Sequence, residues 1–362
     1  MKTIIKILTA IVILISNHAL SAEKRTIKDM AGRNVTIPAE IKRIVAISAS
    51  LRYIVYMQCF DRVVAVEGIE KQNLMKGINS SGKAYWLAIS HKLSKIPTIG
   101  EGGPGKIPDF ERLISIKPDV IFTFEADNAN LIEQKTGIPC IVLAYAGTAG
   151  FNIEEVKKTF SFLGEILNKK ERANELNRYI DLSISDLNKR TKDEKPQSVY
   201  IGGISARGAH GITSTEAYYP SLQWINVHNV ADEAGQRGHI FIDKERLILW
   251  NPQHIFIDAA GLSLIESDYQ KNPEFYKKLS AFGNSKTLFP YNFYRTNLEI
   301  LILNSYFIGK SIYPHRFKDI NTKDKAAEIF IKFLGKDIYH EIKQSYKGYG
   351  KVKFTSSGIS VE

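Results

Sequence analysis

Several stretches of this 362-residue chain hold residues whose types and spacing suit ligand chemistry. In "GEGGPGKIPDF" (100–110), Gly100, four residues and then Gly105-Lys106 fit G-x-x-x-x-G-K, in which backbone amides and a lysine cradle phosphates. Ile107 follows where a Mg²⁺-binding Ser or Thr is needed, and Pro108 interrupts the helix that such a loop should open. The match is a decoy. "GGISARGAHGITST" (202–215) gathers Arg207, His210, Thr213 and Ser214 in a glycine-rich loop, and "GQRGHIFID" (235–243) adds Arg237 and His239. Arginine offers a rigid fork for a carboxylate, catecholate or oxyanion, and histidine ligates metal or donates a hydrogen bond. "FPYNFYRTN" (289–297) sets Tyr291 and Tyr294 beside Arg295, which suits an anionic ferric chelate or a compact oxyanion. The plain alternative for Arg295 is an i,i+4 pair with Glu299.

Two further stretches belong to the same inventory. "SASLRY" (48–53) offers Ser48, Ser50, Arg52 and Tyr53 after an apolar run, and the amides opening the next helix would face an anion. Tyr85 and Trp86 in "SSGKAYWLAIS" would supply an aromatic wall for a flat or greasy chelate, unless one of them packs inward. Catalysis is not indicated. "GGISARG" lacks the second glycine of G-x-S-x-G, and the histidines show no H-E-x-x-H or cysteine-based pattern. We therefore expect no catalytic residue, no cofactor and no direct metal ligand. Cys59 and Cys140 sit in apolar surroundings that suit small core residues, although an exported chain is permitted to pair them.

The elements that position these groups follow from the pattern of the chain. Residues 1–22 read as a cleaved signal peptide: Lys2 and Lys6 precede the apolar "ILTAIVILIS", and small residues end "NHALSA". A monomeric periplasmic protein is the expectation. Lys2 and Lys6 carry two of the +11 formal charges and no acid precedes Glu23, so the remainder keeps +9 and favours an anionic partner. Nucleic acid is not indicated, because no basic block is interleaved with aromatics. Some 340 residues exceed one comfortable core, so two lobes are expected.

Short β-rich runs at 43–48, 62–68, 119–124 and 140–145 form a first set, and runs at 198–204, 254–258 and 287–291 a second. Their alternation with helical patterns predicts parallel sheets covered by helices. Between the sets, a polar helical stretch ends at Pro196. We divide the chain into a lobe at 23–169, an interlobe helix at 170–195 and a second lobe at 196–362. An internal echo supports related lobes. "DFERLISIKPDVIF" (109–122) and "DKERLILWNPQHIF" (243–256) share eight of fourteen residues at one offset of 134, which places Glu111 and Glu245 at matching points.

"IKDMAGRNVTIPAEIKRIVAIS", "LISIKPDVIF" and "NPEFYKKLSAFGNSKTLFPYNFYRTN" resemble segments of the periplasmic metal-chelate-binding proteins of ABC importers. The resemblance spans roughly residues 26 to 354. It implies an α/β fold of two lobes with mostly parallel sheets, joined by one long helix, with ligand in the cleft and little closure. It implies that Glu111 and Glu245 dock on arginines of a permease dimer. It also implies an anionic metal chelate as cargo, a ferric siderophore first, with Arg295 as the cleft arginine and His239 at a cleft aromatic position. Molybdate or tungstate is the alternative, and nickel, haem or cobalamin complexes stay open. Gly105 and His239 stand where cobalamin binders carry tryptophan, which disfavours cobalamin.

Overall fold

The computed structural model describes residues 23–71, 83–103, 105–144, 151–206, 208–291, 296–355 and 358–362. The proposed signal segment 1–22 and the candidate residues Arg207, Tyr294 and Arg295 lie outside the described residues. A hairpin of β1 (Lys24–Lys28) and β2 (Asn34–Pro38) opens the described chain. The first lobe is then built on four parallel strands: β3 (Ile44–Ala46), β4 (Val63–Val66), β5 (Val120–Thr123) and β6 (Cys140–Val142), in the order β4-β3-β5-β6. Strands β3 and β5 are buried on both faces, as a sheet covered by helices on both sides requires.

The second lobe repeats the plan with additions. Strands β7 (Ser198–Gly202), β9 (His228–Asn229), β11 (His254–Asp258) and β12 (Lys286–Leu288) are parallel, and a hairpin of β13 (Gly350–Thr355) and β14 (Gly358–Val361) extends the edge antiparallel. A separate hairpin pairs β8 (Ser214–Ala217) with β10 (Gly238–Phe241). All seven sequence-predicted strands are present. Strands β8, β9, β10, β13 and β14 were not anticipated, although the alternation in "GKVKFT" carries a strand signal.

The interlobe helix runs Lys170–Thr191, about 33 Å at 1.5 Å per residue. Ala173, Leu176, Ile180, Ser183, Leu187 and Thr191 are buried at three- and four-residue spacing, so one face carries the packing. C-terminal helices return beneath the first lobe. Tyr56 of the short helix Leu51–Tyr56 donates its hydroxyl to Glu299 of the helix Leu298–Ile312 and packs edge-on against Phe333, ring centroids 5.6 Å apart. Arg172 of the interlobe helix joins the same junction, donating to the carbonyls of Tyr56 (2.9 Å) and Lys332 (2.5 Å).

The echoed segments fold alike down to their caps. Asp109 and Asp243 accept from the amides of Arg112 (3.0 Å) and Arg246 (2.6 Å), each starting a seven-residue helix. Such caps are worth roughly 1 kcal/mol each. Lys117 and Asn251 end these helices in the left-handed conformation, before Pro118 and Pro252 and the strands β5 and β11. Cys59 and Cys140 are buried free thiols, and burial raises the pKa of both.

Candidate ligand cleft

Open α/β sheets bind ligands beyond the carboxyl ends of their strands, so the residues leaving β3, β4, β5, β7, β11 and β12 are the ones to follow. On the first lobe, β3 ends in two successive non-glycine residues of positive φ, Ser48 (56°) and Ala49 (71°). Such strain persists only where surrounding contacts hold it. Here the Ser48 amide donates to the Glu67 carboxylate at 2.8 Å, and Ser50 donates its hydroxyl to the Phe122 carbonyl at 2.9 Å. Ser50 is therefore fully buried and tied to β5.

The decoy loop packs on that same glutamate. At Gly102, with φ +73°, an added Cβ would stand 2.3 Å from the Glu67 Cβ, so glycine is the residue that fits. The loop pairs its carbonyls with the amides of Gly68 (2.7 Å) and Ile69 (2.6 Å), and Lys106 pairs with Glu101 at 3.0 Å. These are contacts within the lobe, unlike those of a phosphate cradle.

Tyr85 and Trp86 lie in the core. Tyr85 is fully buried and donates to both Glu70 carboxylate oxygens (2.9 and 2.8 Å), while the Trp86 indole donates to the Glu70 carbonyl. Lys83, at 2% exposure, pairs with Glu70 at 3.3 Å, and the buried Arg52 guanidinium stands 5.0 Å from the Tyr85 ring. A buried acid needs such donors to stay satisfied, and Tyr85 lies inward to supply one, while Trp86 bonds the Glu70 backbone. Sequence reading missed Glu70 because it lies 13 to 16 residues from the groups it organises.

The second lobe is arranged differently. An added Cβ at Gly261 would stand 2.4 Å from the His210 carbonyl and 2.5 Å from that of Gly203, so glycine lets the loops after β7 and β11 meet backbone to backbone. This junction positions half-buried His210, whose Nε2 lies 2.8 Å from the Ala206 carbonyl. A carbonyl only accepts, so Nε2 carries the proton. His239, on β10, reaches diagonally across the hairpin to β8, its Nε2 2.7 Å from the Ser214 hydroxyl. Ser214 gives its own proton to the Ile204 carbonyl at 2.6 Å, so a neutral His239 also carries its proton on Nε2. Burial, then the nearby His210, lowers the His239 pKa and favours that neutral form.

Both rings thus keep an Nδ1 lone pair without a hydrogen-bond partner among the described residues. Their centroids lie 5.8 Å apart, and Phe241 stands edge-on to both at 4.9 and 4.8 Å. The arrangement can donate electron pairs to a Lewis acid. Arg237, exposed nearby, stacks 4.1 Å over the Tyr218 ring.

Two acids lie beneath. Asp258, at the end of β11, is 1% exposed, with one oxygen on the Ala260 amide (2.9 Å) and the other buried without a partner among the described residues. Burial pushes its carboxyl up to about 7 and that of Glu216 on β8 up to about 8. Tyr291 is buried with its ring 4.9 Å from Tyr219, in a T-shaped pair. Glu299 is fully buried and accepts from the Tyr56 hydroxyl. Among the described residues no group of three or more His, Cys, Asp or Glu forms a ready metal cage, and no helix is long and apolar enough to cross a membrane.

Residues 67–288 match the family model "Periplasmic binding protein". The chain belongs to this family and is a substrate-binding protein of an ABC importer, not an enzyme. It is 23% identical over 346 residues to the molybdate-binding protein MolA of Haemophilus influenzae, covering 88% of this chain and 94% of that one. The structure of MolA bound to molybdate aligns with a TM-score of 0.65 at 19% identity, covering 86% of this chain and 98% of MolA. A periplasmic solute binding protein from Veillonella parvula aligns at 0.67 with 18% identity (90% and 97% covered). Helicobacter pylori CeuE with Ni(II) bound aligns at 0.61 with 17% identity (88% and 99% covered).

Proposed function

We propose that this protein, exported by residues 1–22 to the periplasm, captures an anionic metal complex and delivers it to a permease dimer, docking through Glu111 and Glu245. The observation that carries the reading is the pair His210 and His239, both with an Nδ1 lone pair unused among the described residues. Two imidazoles suit a transition metal that still has open positions, as in a chelate whose organic ligand leaves coordination incomplete. A ferric or nickel chelate fits, with Arg295 and Arg207 as the complementary cations for its negative charge. Likeness to CeuE with Ni(II) bound is consistent with a metal-bearing cargo.

A second reading is molybdate or tungstate. Tyr85, Trp86 and Tyr291 lie in the core, so these rings form no exposed aromatic wall for a large flat chelate, and MolA covers nearly the whole chain. Calorimetric titration with ferric catecholate, a nickel–histidine complex, molybdate, tungstate and sulfate separates the readings. The chelate reading expects one metal chelate to bind, with His210→Ala/His239→Ala weakening it at least tenfold and Arg295→Ala weakening it by about 2–5 kcal/mol. Binding of molybdate or tungstate alone, unaffected by loss of the histidines, establishes the second reading instead.

A further inference from the structure

The two echoed helices carry more than their glutamates. Among the described residues eight large apolar side chains are exposed, and four of them lie on or just before these two short helices: Ile107 (50%), Ile114 (49%), Phe241 (62%) and Leu249 (75%). Ile107 precedes Glu111 by four residues and Phe241 precedes Glu245 by four, at the same offset of 134. Ile114 is three residues after Glu111 and Leu249 four after Glu245, the spacings that put side chains on one helical face. Each lobe therefore shows an acid set among exposed apolar groups.

The charges around these acids are already engaged. Arg112 is held by Asp109 (3.2 Å) and the Thr98 carbonyl (3.2 Å), Lys106 by Glu101 and Lys244 by Asp268 (2.7 Å), while Arg246 lies 5.6 Å from the Trp250 ring. Glu111 and Glu245 have no ion-pair or hydrogen-bond partner among the described residues. Exposed apolar groups clustered around an uncompensated charge mark an interaction surface. Two such patches on related lobes fit a partner with two equivalent halves.

Resting on the docking role proposed for the glutamates, we infer that Ile107, Ile114, Phe241 and Leu249 are contact residues of that interface. The partner is a two-fold membrane permease presenting, in each half, a cation beside an apolar socket. The glutamates set orientation and salt dependence, and the apolar groups hold the complex once formed.

The importer reconstituted in nanodiscs gives the test, with the full exported chain as analyte at low and high salt. Glu111→Gln/Glu245→Gln is expected to weaken binding at least tenfold at low salt, with the difference shrinking at high salt. Ile107→Ser/Ile114→Ser/Leu249→Ser is expected to weaken it at least tenfold at both salts. Leu249→Ser alone, which removes the most exposed of these side chains, covers the case of an unstable triple variant and is expected to weaken binding severalfold. Phe241 is left intact because it touches both histidines. Apolar variants that bind within twofold of wild type, beside a weakened glutamate variant, overturn this inference alone. If both sets bind within twofold, the docking reading falls with it. Light scattering that shows a dimer of the free protein, abolished by the apolar variants, assigns the face to a second copy and likewise overturns the inference.

Discussion

On the first lobe, Arg52, Tyr85 and Trp86 are buried, and Glu70 accepts hydrogen bonds from both aromatic side chains. On the second, His210 and His239 are half-buried, and each keeps a ring nitrogen without a partner among the described residues. Both sets follow similar strand–loop units, so position along the sheet does not explain the difference. A buried carboxylate does. The Glu70 carboxylate must be satisfied by donors and holds Tyr85 and Lys83 inward, whereas burial raises the pKa of Asp258 and Glu216 and neither acid bonds His210 or His239 among the described residues. The first-lobe groups are locked into a buried network, and the second-lobe histidines are not.

The strongest way to break this comparison is to remove one member of the first-lobe network. Lys83→Ala leaves Glu70 buried without its cation, and losing one partner of a buried pair costs about 3–5 kcal/mol. Urea unfolding is expected to show this loss, while calorimetry on the folded fraction shows ligand affinity within twofold. A large loss of affinity would mean that the first-lobe network reaches the cargo.

A second test uses the acids of the other lobe. Asp258 and Glu216 have folded pKa values of about 7 and about 8, above the ordinary carboxylate values of 3.8 and 4.5. The folded chain keeps protons there that the unfolded chain has released, so stability falls as pH rises from about 4 through those folded values. Histidines of lowered pKa, His239 and His254, act oppositely, but their contribution is complete above their unfolded value of 6.5. Between pH 6.5 and 8.5 the acids therefore set the slope. The expected loss is about 2 kcal/mol at roughly 1.4 kcal/mol per pH unit, and Glu216→Gln should flatten it. A profile that rises across this window, or one that Glu216→Gln leaves unchanged, contradicts the assignment.

How much of this was legible follows from the range of each interaction. Asp109 and Asp243 cap helices three residues away, and Pro118 and Pro252 stop them locally, so the echo could be read directly and folds as read. Hydrophobic runs named the parallel strands for the same reason. Tyr85 and Trp86 read as a wall with at most one ring turned inward, because nothing nearby in sequence announces Glu70, which holds both. His239 was identified as a candidate, but its partner Ser214 is 25 residues away and depends on the register of the β8–β10 hairpin, which periodicity did not reveal.

That register supports the smallest and most specific prediction. Ser214 donates to the Ile204 carbonyl and accepts from His239, so one hydroxyl fixes which His239 nitrogen holds the proton. Ser214→Ala removes the acceptor while leaving His210 and its Ala206 bond in place. A neutral imidazole without that bond populates both tautomers, and the one with its proton on Nδ1 cannot ligate metal through that nitrogen. The loss of one hydrogen bond is worth about 1 kcal/mol, or roughly a fivefold fall in affinity for a metal-bearing cargo. Nitrogen-15 NMR of the histidine rings reads the cause directly: wild-type His239 is expected as the Nε2–H tautomer and the variant as a mixture. If the variant keeps a single Nε2–H signal and wild-type affinity, Ser214 does not set the proton, and the difference between the two rims must rest on burial alone.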